Sequence, residues 1–129
     1  MKLLKFRAWS MVNDEPEMRK VEGINWHGGG VWFNEIIDDA TPADWADFDD
    51  VILMQSAGLF DANGREVFAG DIVLINRPPF DCQGVVKYYN GCWWIVCGGI
   101  AFSLYDEIEE SLVIGNIYEN KELVESDEL

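Results

Sequence analysis

The side chains able to do chemistry in this chain are few and poorly grouped. The single histidine, His27, precedes Gly28-Gly29-Gly30. Any histidine general base would have to be this residue, and a Ser–His or Cys–His triad has no other candidate. Its setting favours a solvated or satisfied loop histidine. The glycines are not followed by Lys-Ser or Lys-Thr, so they are not a phosphate loop. The three cysteines, Cys82, Cys92 and Cys97, are odd in number and none is spaced C-x-x-C. A zinc site would need all three plus His27 at irregular spacing, so they are read as small buried hydrophobes. Asp61-Ala62-Asn63-Gly64 begins like a calcium loop, but its glycine stands fourth where that loop needs it sixth. The expectation is no catalytic residue, no metal and no cofactor: a protein that is not an enzyme.

Charge is more informative. Nine Lys and Arg stand against 24 Asp and Glu, a net charge of -15. Nucleic-acid backbones and anionic membranes need positive contact surfaces, so neither is an expected partner. Nine acids and no Lys or Arg lie between Lys20 and Arg65, and nine more lie from Asp106 onward against Lys121 alone. Such blocks keep a protein soluble. They would equally suit a surface that binds a basic protein or imitates nucleic acid, with Glu35, Asp38, Asp39, Asp44, Asp47, Asp49 and Asp50 as its candidate residues.

These groups need a scaffold, and the sequence describes one rich in strands. Hydrophobic residues are 49% and charged residues 26%, an ordinary globular balance. Short runs of Val, Ile, Phe and Trp are punctuated by Gly, Asn and Asp. Strands are predicted at 3–9, 18–26, 31–37, 51–60, 72–75, 85–89, 92–97, 101–105 and 111–117. Segments 18–26 and 31–37 would form a hairpin around His27. Thr41-Pro42-Ala43-Asp44 predicts one short helix ending near Asp50, capped by Thr41 with Pro42 in its first turn. Adjacent prolines make 76–81 a loop. The 18 residues from Tyr88 to Tyr105 carry no charge. Asn90-Gly91, Gly98-Gly99 and Ser103 break them, which argues against a membrane span. No apolar signal-peptide core follows Met1, which together with unpaired cysteines predicts a cytoplasmic protein.

Asn90-Gly91 is the strongest hairpin signal and fixes a register: Tyr89 opposite Cys92, Tyr88 opposite Trp93, Lys87 opposite Trp94. Val86, Tyr88, Trp93 and Ile95 then share one face, which is the expected core. Val85, Lys87, Tyr89, Cys92, Trp94 and Val96 share the other. A small barrel has one interior, so the second face must be covered by the N-terminal part, by another subunit or by a ligand. Lys87, Tyr89 and Trp94 are therefore candidate binding or interface residues. The expected fold is mainly β: a small SH3-like barrel in the C-terminal half and a β-rich N-terminal part with one short helix. Residues 1–50 form that N-terminal part, 51–118 the barrel core and 119–129 an acidic tail, in one compact unit.

Three segments resemble one family. They are Lys5-Phe6-Arg7-Ala8-Trp9; Leu53 to Leu59 running into Asp61-Ala62-Asn63-Gly64-Arg65-Glu66-Val67-Phe68-Ala69-Gly70-Asp71-Ile72-Val73; and Val113-Ile114-Gly115-Asn116-Ile117-Tyr118-Glu119-Asn120. Their order and content resemble the YopX family of phage and prophage proteins. Ser56-Ala57, Ala69 and Lys121 depart from its usual pattern. The resemblance implies a mainly β phage or prophage protein of largely unassigned function, with oligomerisation open and no catalytic residues to transfer. Its motif positions, Gly58, Gly64, Gly70, Asp71, Gly115 and Asn116, read as turn and bulge residues. The expected function is a non-enzymatic protein-binding or assembly module, its partner another protein or itself as a homo-oligomer. The alternative is an acidic inhibitor directed at a basic host protein.

Overall fold

The computed structural model describes residues 4–78 and 80–124. The chain is mainly β and divides into two compact units, with the boundary between Gln55 and Ser56.

In the first unit, β1 (Phe6–Ser10) lies between β2 (Glu17–Lys20) and the opening half of β6 (Val51–Phe60), antiparallel to both. A second, three-stranded sheet has the order β3 (Gly23–Asn25), β4 (Gly30–Trp32), β5 (Trp45–Asp47). The predicted hairpin around His27 therefore forms, but with three residues per arm and the register Gly23↔Trp32. The run 18–26 splits between two sheets. Ala8, Val31, Ala46 and Val51 form the core, with Val21, Ile24, Phe33, Phe48 and Leu53 packed around it.

The helix predicted from Thr41 does not form. Trp45–Asp47 is a strand, and only Phe48–Asp50 makes a 3-10 turn. Thr41 Oγ1 accepts from the backbone N–H groups of Ile37 and Asp38 instead of capping forward. Asn34 Oδ1 takes the Asp44 N–H at 2.9 Å, and Trp45 pairs with Trp32 across the sheet. Tertiary partners thus claim the groups a helix would have used.

In the second unit, the closing half of β6 pairs with β7 (Glu66–Phe68) through an irregular register. The main sheet has five strands in the order β11 (Ile100–Ser103), β10 (Cys92–Cys97), β9 (Phe80–Tyr89), β8 (Asp71–Arg77), β12 (Leu112–Asn116). The predicted loop at 76–81 is mostly strand, with Asn76↔Asp81 and Arg77↔Phe80 in register. Pro79 lies outside the described residues. The strand expected at 101–105 ends early, because Leu104–Glu107 is a one-turn helix, α1, followed by a 3-10 turn. Leu104 and Ile108 on those turns are buried and complete the core with Val67, Val73, Ile75, Val86, Ile95 and Val113. Of the acidic tail, Lys121–Leu123 forms a 3-10 turn, and 125–129 lie outside the described residues. No described helix is long and apolar enough to cross a membrane.

Candidate functional site

The β9–β10 hairpin has the register the Asn90-Gly91 turn demands: Cys92↔Tyr89, Trp93↔Tyr88, Trp94↔Lys87. Asn90 (φ 52°) and Gly91 (φ 76°) both take positive φ, as a two-residue type I′ turn requires. Alternation then sorts the side chains. Val86 and Ile95 enter the core, and Trp93 packs against it. Tyr88, on the same face but at the hairpin tip, stays 55% exposed with its ring 5.1 Å from Trp93. On the opposite face Tyr89 and Trp94 stack at 5.6 Å, and Trp94 Nε1 donates to the Tyr89 carbonyl at 3.2 Å. Tyr89 is 43% exposed, Lys87 and Trp94 are half-buried, and Val85 is buried. Ile100 and Tyr105 are also exposed, at 59% and 77%, but Ile100 pairs with Cys97 on the other face and Tyr105 lies on α1.

The motif residues build turns. Asp61 is the busiest: Oδ1 accepts from the N–H groups of Asn63 and Arg65, and Oδ2 from Val113, each at 2.9 Å. Burial raises its pKa, but those three donors outweigh burial and hold the carboxyl below its usual range. Gly58, Gly64 and Gly70 take positive φ. Asp71 is fully buried and accepts the Phe68 N–H at 2.8 Å, closing the turn before β8. Gly115 sits at the bulge in β12, where a Cβ would collide with the Asn120 side chain. Asn116 Oδ1 accepts from the N–H groups of Tyr118 and Glu119.

The seven acidic candidates, Glu35, Asp38, Asp39, Asp44, Asp47, Asp49 and Asp50, are all exposed. Three have local structural duties. Asp38 accepts from the Ala40 N–H and the Thr41 hydroxyl, and Asp47 from Trp45 Nε1. Asp44 forms a two-pronged ion pair with Arg19, whose guanidinium lies 4.1 Å from the centre of the Phe33 ring. The hydrogen bond from Arg19 pulls the Asp44 carboxyl below its ordinary range and pushes Arg19 above its own. Glu35 differs from the rest because it borders a concavity. Glu22, Gly23, Trp32, Asn34, Glu35, Ile36 and Ile37 line an open cleft of about 640 Å³. No periodicity in the sequence marks it, because its apolar residues come from a strand end and a loop.

The cysteines depart from expectation. Cys82 and Cys97 are joined by a disulfide, with Cα atoms 6.2 Å apart, and only Cys92 is free, exposed near the hairpin tip. The hairpin register explains the pairing. Val96 faces Val85, so Cys97 faces Gly84 and lies diagonal to Cys82 on the core face. His27 is an exposed loop residue. Among the described residues, no group of three His, Cys, Asp or Glu side chains is placed to hold a metal ion.

Comparison with known proteins matches this scaffold over almost its whole length. The family model described as YopX protein matches residues 5–125. The crystal structure of protein EF1440 from Enterococcus faecalis superposes with a TM-score of 0.68 at 26% identity, covering 95% of this chain and 99% of that one. No curated protein matches.

Proposed function

The chain belongs to the YopX family, and from that premise we propose that it is a non-enzymatic assembly module, of phage or prophage origin, that docks a second copy of itself. The observation that carries this reading is the stacked Tyr89–Trp94 pair on a partly exposed sheet face inside an 18-residue stretch without charge. At a net charge of -15, two copies repel each other over most of their surfaces. The hairpin face is where apolar area can be buried with the least repulsion, and exposed aromatic clusters of this kind favour association. We read the sheet beneath it as SH3-like. Four strands in sequence, a short helical turn and a final strand returning beside the first support that reading.

The test is sedimentation across a range of protein and salt concentrations. Self-association through this face should strengthen with salt, as the repulsion is screened. Tyr89→Glu should return the protein to monomer without lowering its melting temperature much. A wild-type protein that stays monomeric at high concentration and high salt overturns the reading. An inhibitor that binds a basic host protein through residues 35–50 would show the opposite sign, its complex weakening as salt rises.

A further inference from the structure

The cleft between Glu22 and Ile37 has walls of two kinds. Its lining joins apolar Trp32, Ile36 and Ile37 to polar Asn34 and the acids Glu22 and Glu35. Trp32 is fixed in place. Its ring lies over Gly23, close enough that a Cβ there would sit 3.1 Å from it, and it meets Trp45 edge-on at 4.9 Å. Trp45 in turn packs where only Gly30 leaves room. The loop holding the isoleucines is pinned at both ends. Asn34 Nδ2 donates to the Pro42 carbonyl at 2.8 Å, and the Ile37 N–H donates to Thr41 Oγ1 at 3.3 Å. Yet Ile36 is 49% exposed and Ile37 82% exposed. Large aliphatic side chains held out to water on a tethered loop, beside an aromatic ring, form a surface prepared for contact.

We propose that this cleft seats an arginine-bearing segment of a partner protein, with the aliphatic stem on Trp32, Ile36 and Ile37 and the guanidinium between Glu22 and Glu35. Charge complementarity selects this occupant. The charged residues of its lining, Glu22 and Glu35, are both acids, and no Lys or Arg stands between Lys20 and Arg65 in the sequence. Lys20 reaches Glu22 at 3.4 Å, but its side chain is 82% exposed and so is easily displaced. An arginine matches both walls, because its stem is apolar, its head is planar and always charged, and it stacks on aromatic rings. The volume lies in the range of sites that hold small ligands, which gives room for the side chain and its neighbours. This shares with the preceding section only the premise that the chain binds protein, and it lies on different residues.

The experiment titrates the blocked tripeptide Leu-Arg-Leu into isotope-labelled full-length protein, with Leu-Gln-Leu and Leu-Glu-Leu as controls, and follows amide and Trp indole resonances. The arginine peptide should shift Gly23, the Trp32 indole, Ile36 and Ile37 at millimolar concentration, and the glutamine peptide should not. Glu35→Gln should weaken binding about fivefold. Ile37→Ser, at a surface position safe for folding, should weaken it as well. Asp49→Asn, at an exposed acid outside the cleft, should leave it unchanged. Equal binding of the arginine and glutamine peptides overturns the proposal. So do shifts confined to other residues, or an Asp49→Asn loss equal to that of Glu35→Gln. The outcome is independent of self-association, which sedimentation reads separately.

Discussion

Replacing Asp61 by asparagine exchanges one carboxylate oxygen for an NH₂ group of similar size and should nonetheless cost about 2–4 kcal/mol. The carboxylate accepts three backbone N–H groups through both oxygens. Asparagine has one acceptor oxygen. If it serves Asn63 and Arg65, its own NH₂ group faces the N–H of buried Val113, donor against donor. An unsatisfied buried donor costs about 1–3 kcal/mol, and loss of the negative charge weakens the two remaining bonds by a further fraction each. For a chain of 129 residues this corresponds to a melting temperature lower by roughly 6–16 °C. The pH dependence has a definite sign. The folded-state pKa of Asp61 is depressed, so its contribution is present above the unfolded value of about 3.9 and is lost as pH falls through the lower folded value. The amide of the variant does not titrate, so the gap between wild type and Asp61→Asn should narrow in acid. Urea unfolding of both proteins from neutral pH down to about pH 3 measures it. A gap under about 0.5 kcal/mol at neutral pH, or one that stays constant into acid, would refute the reasoning, because either means that the three bonds do not hold the turn to β12.

The two adjacent tryptophans should separate. Trp93→Ala removes a ring packed against the core and should cost about 3 kcal/mol, while Trp94→Ala loses chiefly the stack on Tyr89, about 1 kcal/mol, and should reduce self-association. Equal losses in thermal unfolding would mean that Trp94 is as much core as Trp93. Gly84→Ala should destabilise by about 1–3 kcal/mol, since its Cβ would come within 2.9 Å of the Val96 carbonyl and closer still to Ile95. A melting temperature unchanged by that substitution would show that the β9–β10 approach relaxes freely. Cys82→Ser should lower stability by about 3 kcal/mol, the chain-entropy value for a link spanning 15 residues. A melting curve the same with and without reductant would show that the two thiols are not cross-linked in the purified protein.

What the sequence revealed was what short-range rules control. The Asn90-Gly91 turn set a register, the register set two faces, and those faces told Trp93 from Trp94. The same register, carried down the strands past Gly84, puts Cys82 and Cys97 on one face. That step needs β9 to extend back to residue 82, and the Pro78-Pro79 pair hid the extension by suggesting a loop. Pro78 lies in the turn itself, where a missing N–H costs the ladder nothing.

Where sequence reasoning failed, long-range partners had overruled local preference. Thr41-Pro42-Ala43-Asp44 has the letters of a helix start. Yet Arg19, 25 residues earlier, takes the Asp44 carboxylate that would have sat in the first turn, and Asn34 takes its N–H. With both groups committed, the backbone continues as β5 and lays Trp45 over Gly30. The cleft follows from the same choice, since Trp45 supports Trp32 and the tethered loop carries Ile36 and Ile37. A helix at 41–50 would have removed the tether that keeps those isoleucines exposed. The failed helix and the unforeseen cleft are therefore one event, and Arg19→Gln should report on both. Asp44 would lose its partner, the loop would loosen, and the Ile37 and Asp38 amides, which donate to Thr41 Oγ1, should exchange faster with solvent while the β8–β12 amides hold. Unchanged exchange at Ile37 and Asp38 would separate the cleft from the ion pair and leave the Asn34 and Thr41 hydrogen bonds as its support.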